Sequence, residues 1–191
     1  NAYTHHTDFL TSIFGEKYRD DLVDIINNYY LLGFQHKPEG MGWGYQWNNY
    51  LERERIIDTE FSFANYDEAE KRMAAYDRIA NKSEKIWKQL PEEYKPAYYE
   101  LVHYPVKGAT LMNKKMLTAQ KNRWYARQGR ATTNAVANEA KVYFDSLAIY
   151  TDKFNSLLNG KWKHMMAVSP GWNASYHEMA PTEQINIPEE G

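Results

Sequence analysis

The residues best equipped for chemistry gather in one short stretch. Between Met41 and Tyr50, Trp43, Tyr45, Trp47 and Tyr50 are interleaved with glycines and amides, and Asn48 and Asn49 stand beside them. Flat aromatic faces suit the apolar C–H face of a sugar, while a primary amide offers paired donors and acceptors for hydroxyls. The same aromatics could instead plug the stretch onto a hydrophobic core, and composition leaves both readings open. Glu52, Glu54, Asp58 and Glu60 follow. A glycosidase needs two carboxyl groups roughly 5 to 9 Å apart, which spacing along a chain does not establish, and a solvated charged segment accounts for the acids equally well. No catalytic residue is assigned on this basis.

Other chemistries find less support. The six histidines, at positions 5, 6, 36, 103, 164 and 177, include no pair at the i, i+4 spacing that puts two imidazoles on one helix face. With no cysteine present, thiolate chemistry and disulfides are excluded, and neither a metal nor a cofactor is expected. No G-x-S-x-G elbow or phosphate-cradling glycine loop occurs. The 23 basic residues are scattered among 25 acidic ones, for a formal net charge of −2. That balance provides neither a basic footprint for nucleic acid nor a polybasic patch for a membrane surface. No apolar run approaches the roughly 20 residues of a membrane span.

The elements that must position these residues are helices. The chain of 191 residues is long enough for one domain with a sizeable core, and a single helical domain over residues 1–191 is expected. A short helix over residues 8–14, capped by Thr7 or Asp8, is closed by Gly15. A second, from Glu16 to Leu32, carries Tyr18, Leu22, Ile25, Ile26, Tyr29 and Leu32 at helical spacing and ends at Gly33. Residues 34–65 lose this periodicity, and a connection of that length is more often functional than idle. Asn65 or Asp67 caps a third helix with a stripe of Ala69, Met73, Tyr76, Ala80, Trp87 and Leu90, stopped by Pro91.

The central element runs from Pro91 to Gln128, where Gly129 provides a turn. Ala109, Met112, Met116, Leu117, Ala119, Trp124 and Ala126 cover an arc of roughly 180°, too broad for one partner, so the helix must be central to a bundle. Asn113, Gln120, Arg123 and Arg127 share that arc and need partners, as a polar ladder that fixes register. Lys121, Asn122 and Tyr125 are expected to face solvent or a neighbouring domain. Pro105 should kink the helix and Gly108 loosen the next turn. A last helix, capped by Thr132 or Thr133 and closed by Gly160, carries Val136, Ala140, Tyr143, Leu147, Tyr150, Phe154 and Leu157 near a heptad seam. The irregular tail should lie over the bundle, and its residues 182–188, TEQINIP, alternate as a strand would. The expected fold is all-α: an antiparallel bundle of four to five helices with a long aromatic loop and an irregular C-terminal tail.

Longer strings add a resemblance. LVHYPVKGATLMNKKMLTAQKNRWYARQGRATTNAVANEA, NGKWKHMM, FGEKYRDDLVDIINNYYLLGFQHKPE, FANYDEAEKR and LPEEYKPAYYELV resemble the helical domain of glycoside hydrolase family 115, the xylan α-1,2-glucuronidases, over nearly the whole chain. The chain departs from that pattern at His36, where the family commonly has Arg, and at Lys163, where it commonly has Asn. The resemblance implies a larger polypeptide with a catalytic TIM barrel upstream and a β-sandwich downstream. It also implies removal of glucuronic acid or its 4-O-methyl ether from xylan with inversion, by carboxylates on the barrel outside these residues. A homodimeric enzyme, periplasmic or extracellular, is implied as well. On this view the chain braces the barrel, with Trp47 and Asn48, beside Trp43 and Tyr45, at the rim of the substrate pocket. The alternative is an autonomous helical interaction or carbohydrate-binding module.

Overall fold

The computed structural model describes residues 2–42, 58–166 and 178–186. The expected all-α bundle is what forms, and no strand occurs among the described residues. Its helices are α1 (Ala2–Phe14), α2 (Arg19–Gln35), α3 (Glu68–Gln89), the short α4 (Lys95–Tyr98), α5 (Tyr104–Arg127) and α6 (Thr133–Gly160). The helices α2 and α3 pack together across the long connection between them, and α5 packs on both α3 and α6, with a short turn joining α5 to α6. No helix is long and apolar enough to cross a membrane.

The apolar stripes land where helical spacing puts them. Leu10, Phe14, Leu22, Ile25, Tyr76, Ile79, Ile86 and Tyr98 close one core between α1, α2 and α3. Met112, Met116 and Leu117 close a second, with Met41, Ala69, Ala140, Leu147 and Ala180. The helix α5 belongs to both cores, since Val106 and Ala109 lie in the first. It is buried on more sides than its apolar arc suggests, because Thr110, Lys115, Thr118 and Asn122 are also buried.

Several helix ends and caps differ from expectation, each for a physical reason. Thr7 lies inside α1 and is buried rather than capping a helix at Asp8. Gly15, at φ 109°, does end the element. The helix α2 passes through Gly33 and stops at His36, because the buried Arg72 fixes the end one turn later. Arg72 donates to Leu32 O at 3.3 Å and to His36 O at 2.7 Å, meeting the unpaired carbonyls and negative dipole end of α2 with a cation. Its Nε donates to Asn113 Oδ1 at 2.6 Å, and its guanidinium lies 4.5 Å from the Phe61 ring centre.

At the start of α3, Asp67 makes no side-chain cap and adopts φ 52°. Ser62 organises that end instead. Its carbonyl accepts from Ala69 N at 3.1 Å, and its hydroxyl accepts from Ala64 N and Asn65 N. Thr132 likewise makes no side-chain cap for α6; Thr133 Oγ1 donates to Arg130 O at 2.6 Å. The break before α5 is a π-helical turn over Tyr99–His103, in which Tyr104 N–H reaches back to Tyr99 O. Widening the helix there relieves the Pro105 ring, which would press on the carbonyl of residue 101 in a regular α-helix. The last turn of α6 is irregular, Leu158 and Asn159 taking φ of 51° and 59° before Gly160 at 80°.

Met116, 1% exposed, sits where α5 and α6 meet. Met116→Ala should cost about 2 to 5 kcal/mol. Lys121, half-buried and 3.9 Å from Glu70, should cost less than about 1 kcal/mol as alanine. Urea midpoints of the two variants check the ranking.

Candidate functional site at the clamped end of the central helix

Both long irregular parts of the chain are fastened to the C-terminal half of α5. Gln120 clamps the stretch after residue 57. Its Oε1 accepts from Thr59 N at 2.8 Å and Thr59 Oγ1 at 2.7 Å, while Nε2 donates to Phe61 O at 2.9 Å and Thr59 O at 3.3 Å. On the other side, Asn122 donates to Thr133 O at 2.8 Å and Glu183 O at 3.0 Å, and accepts from Glu183 N at 2.7 Å. Arg123 lies between them, holding Asp58 through Nε at 2.9 Å and also donating to the Pro181 carbonyl. Arg127 reaches Asp58 at 3.4 Å, and Lys115 Nζ donates to Glu178 O at 3.1 Å.

Asn113, Gln120 and Arg123 of the expected ladder are therefore satisfied within the fold, whereas Arg127 is exposed and, among the described residues, touches only Asp58. Asn122 is not where the spacing argument puts it. Instead of facing solvent it is fully buried, since the tail covers the side of α5 that the apolar arc leaves open. The available signal was its position: asparagine is a poor helix-interior residue, and one in mid-helix calls for a partner. Burial draws the Lys115 ammonium down to about 8, against an opposing pull from Glu178. Lys121 and Tyr125 form a half-buried ledge, the ammonium 5.7 Å from the Phe63 ring centre and 5.5 Å from that of Tyr125.

The candidate acids divide. Asp58 is taken by Arg123 and Arg127, and Glu60 by His36 Nδ1 at 2.5 Å, so both serve the scaffold. Glu52 and Glu54 lie outside the described residues, as do Trp43, Tyr45, Trp47, Asn48, Asn49 and Tyr50. What the structure provides is the setting at either side of that stretch: Met41 is fully buried in the second core, and Asp58 and Thr59 are gripped by α5.

Next to Met41, two clefts flank Pro38 and Glu39. One, of about 370 Å³, is lined by Tyr29, Tyr30, Phe34, Lys37 and Tyr76 among others. The second, of about 230 Å³, runs between Tyr29 and Tyr104, Gly108 and Met112. Among the described residues Glu39 is the sole carboxylate on either lining, so these residues do not supply the acid and base pair of an inverting glycosidase. Phe34 stands 90% exposed at the rim.

One buried cluster has the makings of a nucleophile relay. Ser83 Oγ lies 3.0 Å from His103 Nδ1, and Glu84 Oε2 lies 3.4 Å from His103 Nε2. Ser83 is nevertheless fully buried, and Tyr98 OH also donates to its Oγ at 3.2 Å. No substrate reaches it, and the network pins the π-helical turn to α3. Among the described residues no group of three or more His, Cys, Asp or Glu could hold a metal ion.

The whole chain can be set beside known proteins. No family model matches the sequence, and no curated protein matches it. A solved structure does: a family GH115 4-O-methyl-α-glucuronidase, BtGH115A, with specificity for decorated arabinogalactans, 28% identical, with a TM-score of 0.75 over 98% of this chain. The chain resembles the helical domain of family GH115. It spans 23% of the length of that enzyme, so the GH115-like bundle corresponds to part of a larger glycoside hydrolase. In this GH115-like domain the clamped end of α5 is the place where the two long irregular segments converge.

The His103 cluster gives a pH dependence. Burial takes His103 from its ordinary 6.5 down to about 4, Glu84 opposing and Lys107 and Lys153 assisting. The unfolded chain then binds the proton more readily, so this contribution is complete above pH 6.5 and is lost as pH falls toward 4. The loss should reach roughly 3 kcal/mol. Urea unfolding at pH 7 and 4.5 should show His103→Gln losing this part of the acid slope.

Proposed function

We propose that this chain is an accessory helical domain of a multidomain family GH115 α-glucuronidase, braced against the catalytic domain of the same polypeptide. The observation that carries the proposal is the match along 98% of the chain to a stretch making up 23% of a 4-O-methyl-α-glucuronidase. The site supports it from a second direction. Among the described residues no pair of carboxylates lines a cleft, which fits an acid and base supplied by another part of the enzyme. The substrate class is a polysaccharide carrying glucuronic acid or its 4-O-methyl ether. Xylan is the backbone the sequence resemblance points to, and decorated arabinogalactan is the one for which the solved relative is specific.

Assayed alone against glucuronoxylan and a decorated arabinogalactan, the 191-residue chain should release no uronic acid, whereas the full-length enzyme should release it from one of them. Release by the isolated chain would overturn the accessory reading.

Within this reading, Trp47 and Asn48 stand at the rim of the catalytic pocket, with Trp43 and Tyr45 beside them. The indole walls the pocket and the amide bonds a uronic acid hydroxyl. What supports this is the make-up of the stretch, aromatic faces and amides suited to a sugar, between Met41 and Asp58, which are anchored on the bundle. Asn48→Ala in the full-length enzyme should lower kcat/KM about tenfold, one hydrogen bond of about 1.5 kcal/mol, with little change in the melting temperature of the 191-residue chain. Unaltered kinetics would return Asn48 to the scaffold.

A further inference from the structure

The segment from Pro181 to Asn186 lies along α5 and the start of α6, and its backbone is paired there by side chains alone. Asn122 exchanges two hydrogen bonds with the peptide groups of Glu183, at 2.7 and 3.0 Å. Asn134 does the same with Ile185, accepting from its N–H at 2.9 Å and donating to its C=O at 2.9 Å. Arg123 takes the carbonyl of Pro181. Residues 181, 183 and 185 thus turn their backbone polar groups toward the bundle, which is the two-residue period of a β-strand. Each asparagine amide stands where the peptide of a neighbouring strand would be.

The same period turns the peptide groups of Thr182, Gln184 and Asn186 to the opposite side. None of these backbone groups makes a hydrogen bond among the described residues, and Gln184 and Asn186 are exposed. Natural edge strands blunt such a row with charges or proline. Here the three outward residues are neutral, and Pro181, which lacks an N–H, belongs to the inward set. Among the described residues the outer edge is therefore open and unblunted, while the inner edge is held by Arg123, Asn122 and Asn134.

We propose that this outer edge receives a β-strand from another part of the same enzyme, so that residues 181–186 join the helical domain to a sheet elsewhere in the polypeptide. The inference rests on the reading of the chain as one part of a larger enzyme. Length favours an occupant on the same chain. Six residues give an edge of about 20 Å, far too little surface for the roughly 1,000 Å² of a stable contact between separate molecules. A tethered strand meets the edge at an effective concentration of about millimolar, and more than three quarters of the matched enzyme lies outside this stretch.

Residue-resolved amide hydrogen exchange tests it, on the 191-residue chain and on the full-length enzyme. In the shorter chain Glu183 and Ile185 should be protected while Gln184 and Asn186 exchange freely. In the full-length enzyme Gln184 and Asn186 should slow by about tenfold or more. Gln184→Pro, which removes only an outward N–H and keeps both clamps, should restore fast exchange at Asn186 in the full-length enzyme. Equal, fast exchange of Gln184 in both proteins would overturn the proposal. Protection that rises with concentration in the 191-residue chain, together with dimers in sedimentation, would assign the edge to a second copy and also overturn it. A glucuronidase assay on the same full-length sample separates the two readings: an inactive enzyme with Gln184 protected sinks the function and leaves the strand pairing standing.

Discussion

A helix buried on all sides must find partners inside the protein for its polar side chains, and α5 is under that constraint along most of its length. Asn113, Lys115, Thr118 and Asn122 are each almost or wholly buried. A hydrogen bond contributes only about 1 kcal/mol net, but a buried amide left without a partner costs about 1 to 3 kcal/mol. The core around Met112 and Met116 therefore cannot close until other segments bring hydrogen-bonding partners to these side chains. Asn113 receives Arg72, Gln120 receives Thr59 and Phe61, and Asn122 receives Glu183. In this way the packing of one helix fixes where two segments without regular structure must run.

Arg72 extends the same logic to α2. Burial depresses its pKa from the ordinary value, with Tyr76 and Glu60 opposing, yet its hydrogen bonds go to two carbonyls and one amide rather than to a carboxylate. The carbonyls are those at the C-terminal end of α2, where the helix dipole is negative. The cation thus does three jobs with one planar group: it ends α2, seats Asn113, and lies over Phe61. Glu60 is held nearby by His36, so the region just after the aromatic stretch is tied to α2 as well as to α5.

How much of this is legible in the sequence depends on which forces are periodic. The stripes of α2, α3 and α6 repeat at helical spacing, and burial tracks them at Leu22, Tyr76, Ala140 and Phe154. The polar ladder of α5 is legible too, because Gln120 and Arg123 fall within an apolar arc. Asn122 is not, since its covering comes from residues 61 positions away. The end of α2 escapes a sequence reading for the same reason, since the local signal at Gly33 is overruled by Arg72 from elsewhere in the chain. The start of α3 falls at Asp67 as read, but Ser62 and not the Asp67 side chain organises it. Of the candidate site, the sequence shows the aromatic and amide residues themselves; the clamps on either side come from tertiary contacts.

Those clamps bear on what an accessory domain can contribute to catalysis. A residue on a long connection positions a substrate only if the ends of that connection are held, because ordering free chain costs about 1 to 2 kcal/mol per residue. Met41 is sealed in the second core, and Thr59 is tied through both its backbone and its hydroxyl to Gln120. Arg123 then joins Asp58, next to that connection, to Pro181 at the start of the open edge. A single turn of α5 thereby sets Asp58 and the tail relative to each other. A sheet that paired with the tail would be placed relative to Asp58 and Thr59 through side chains of one helix.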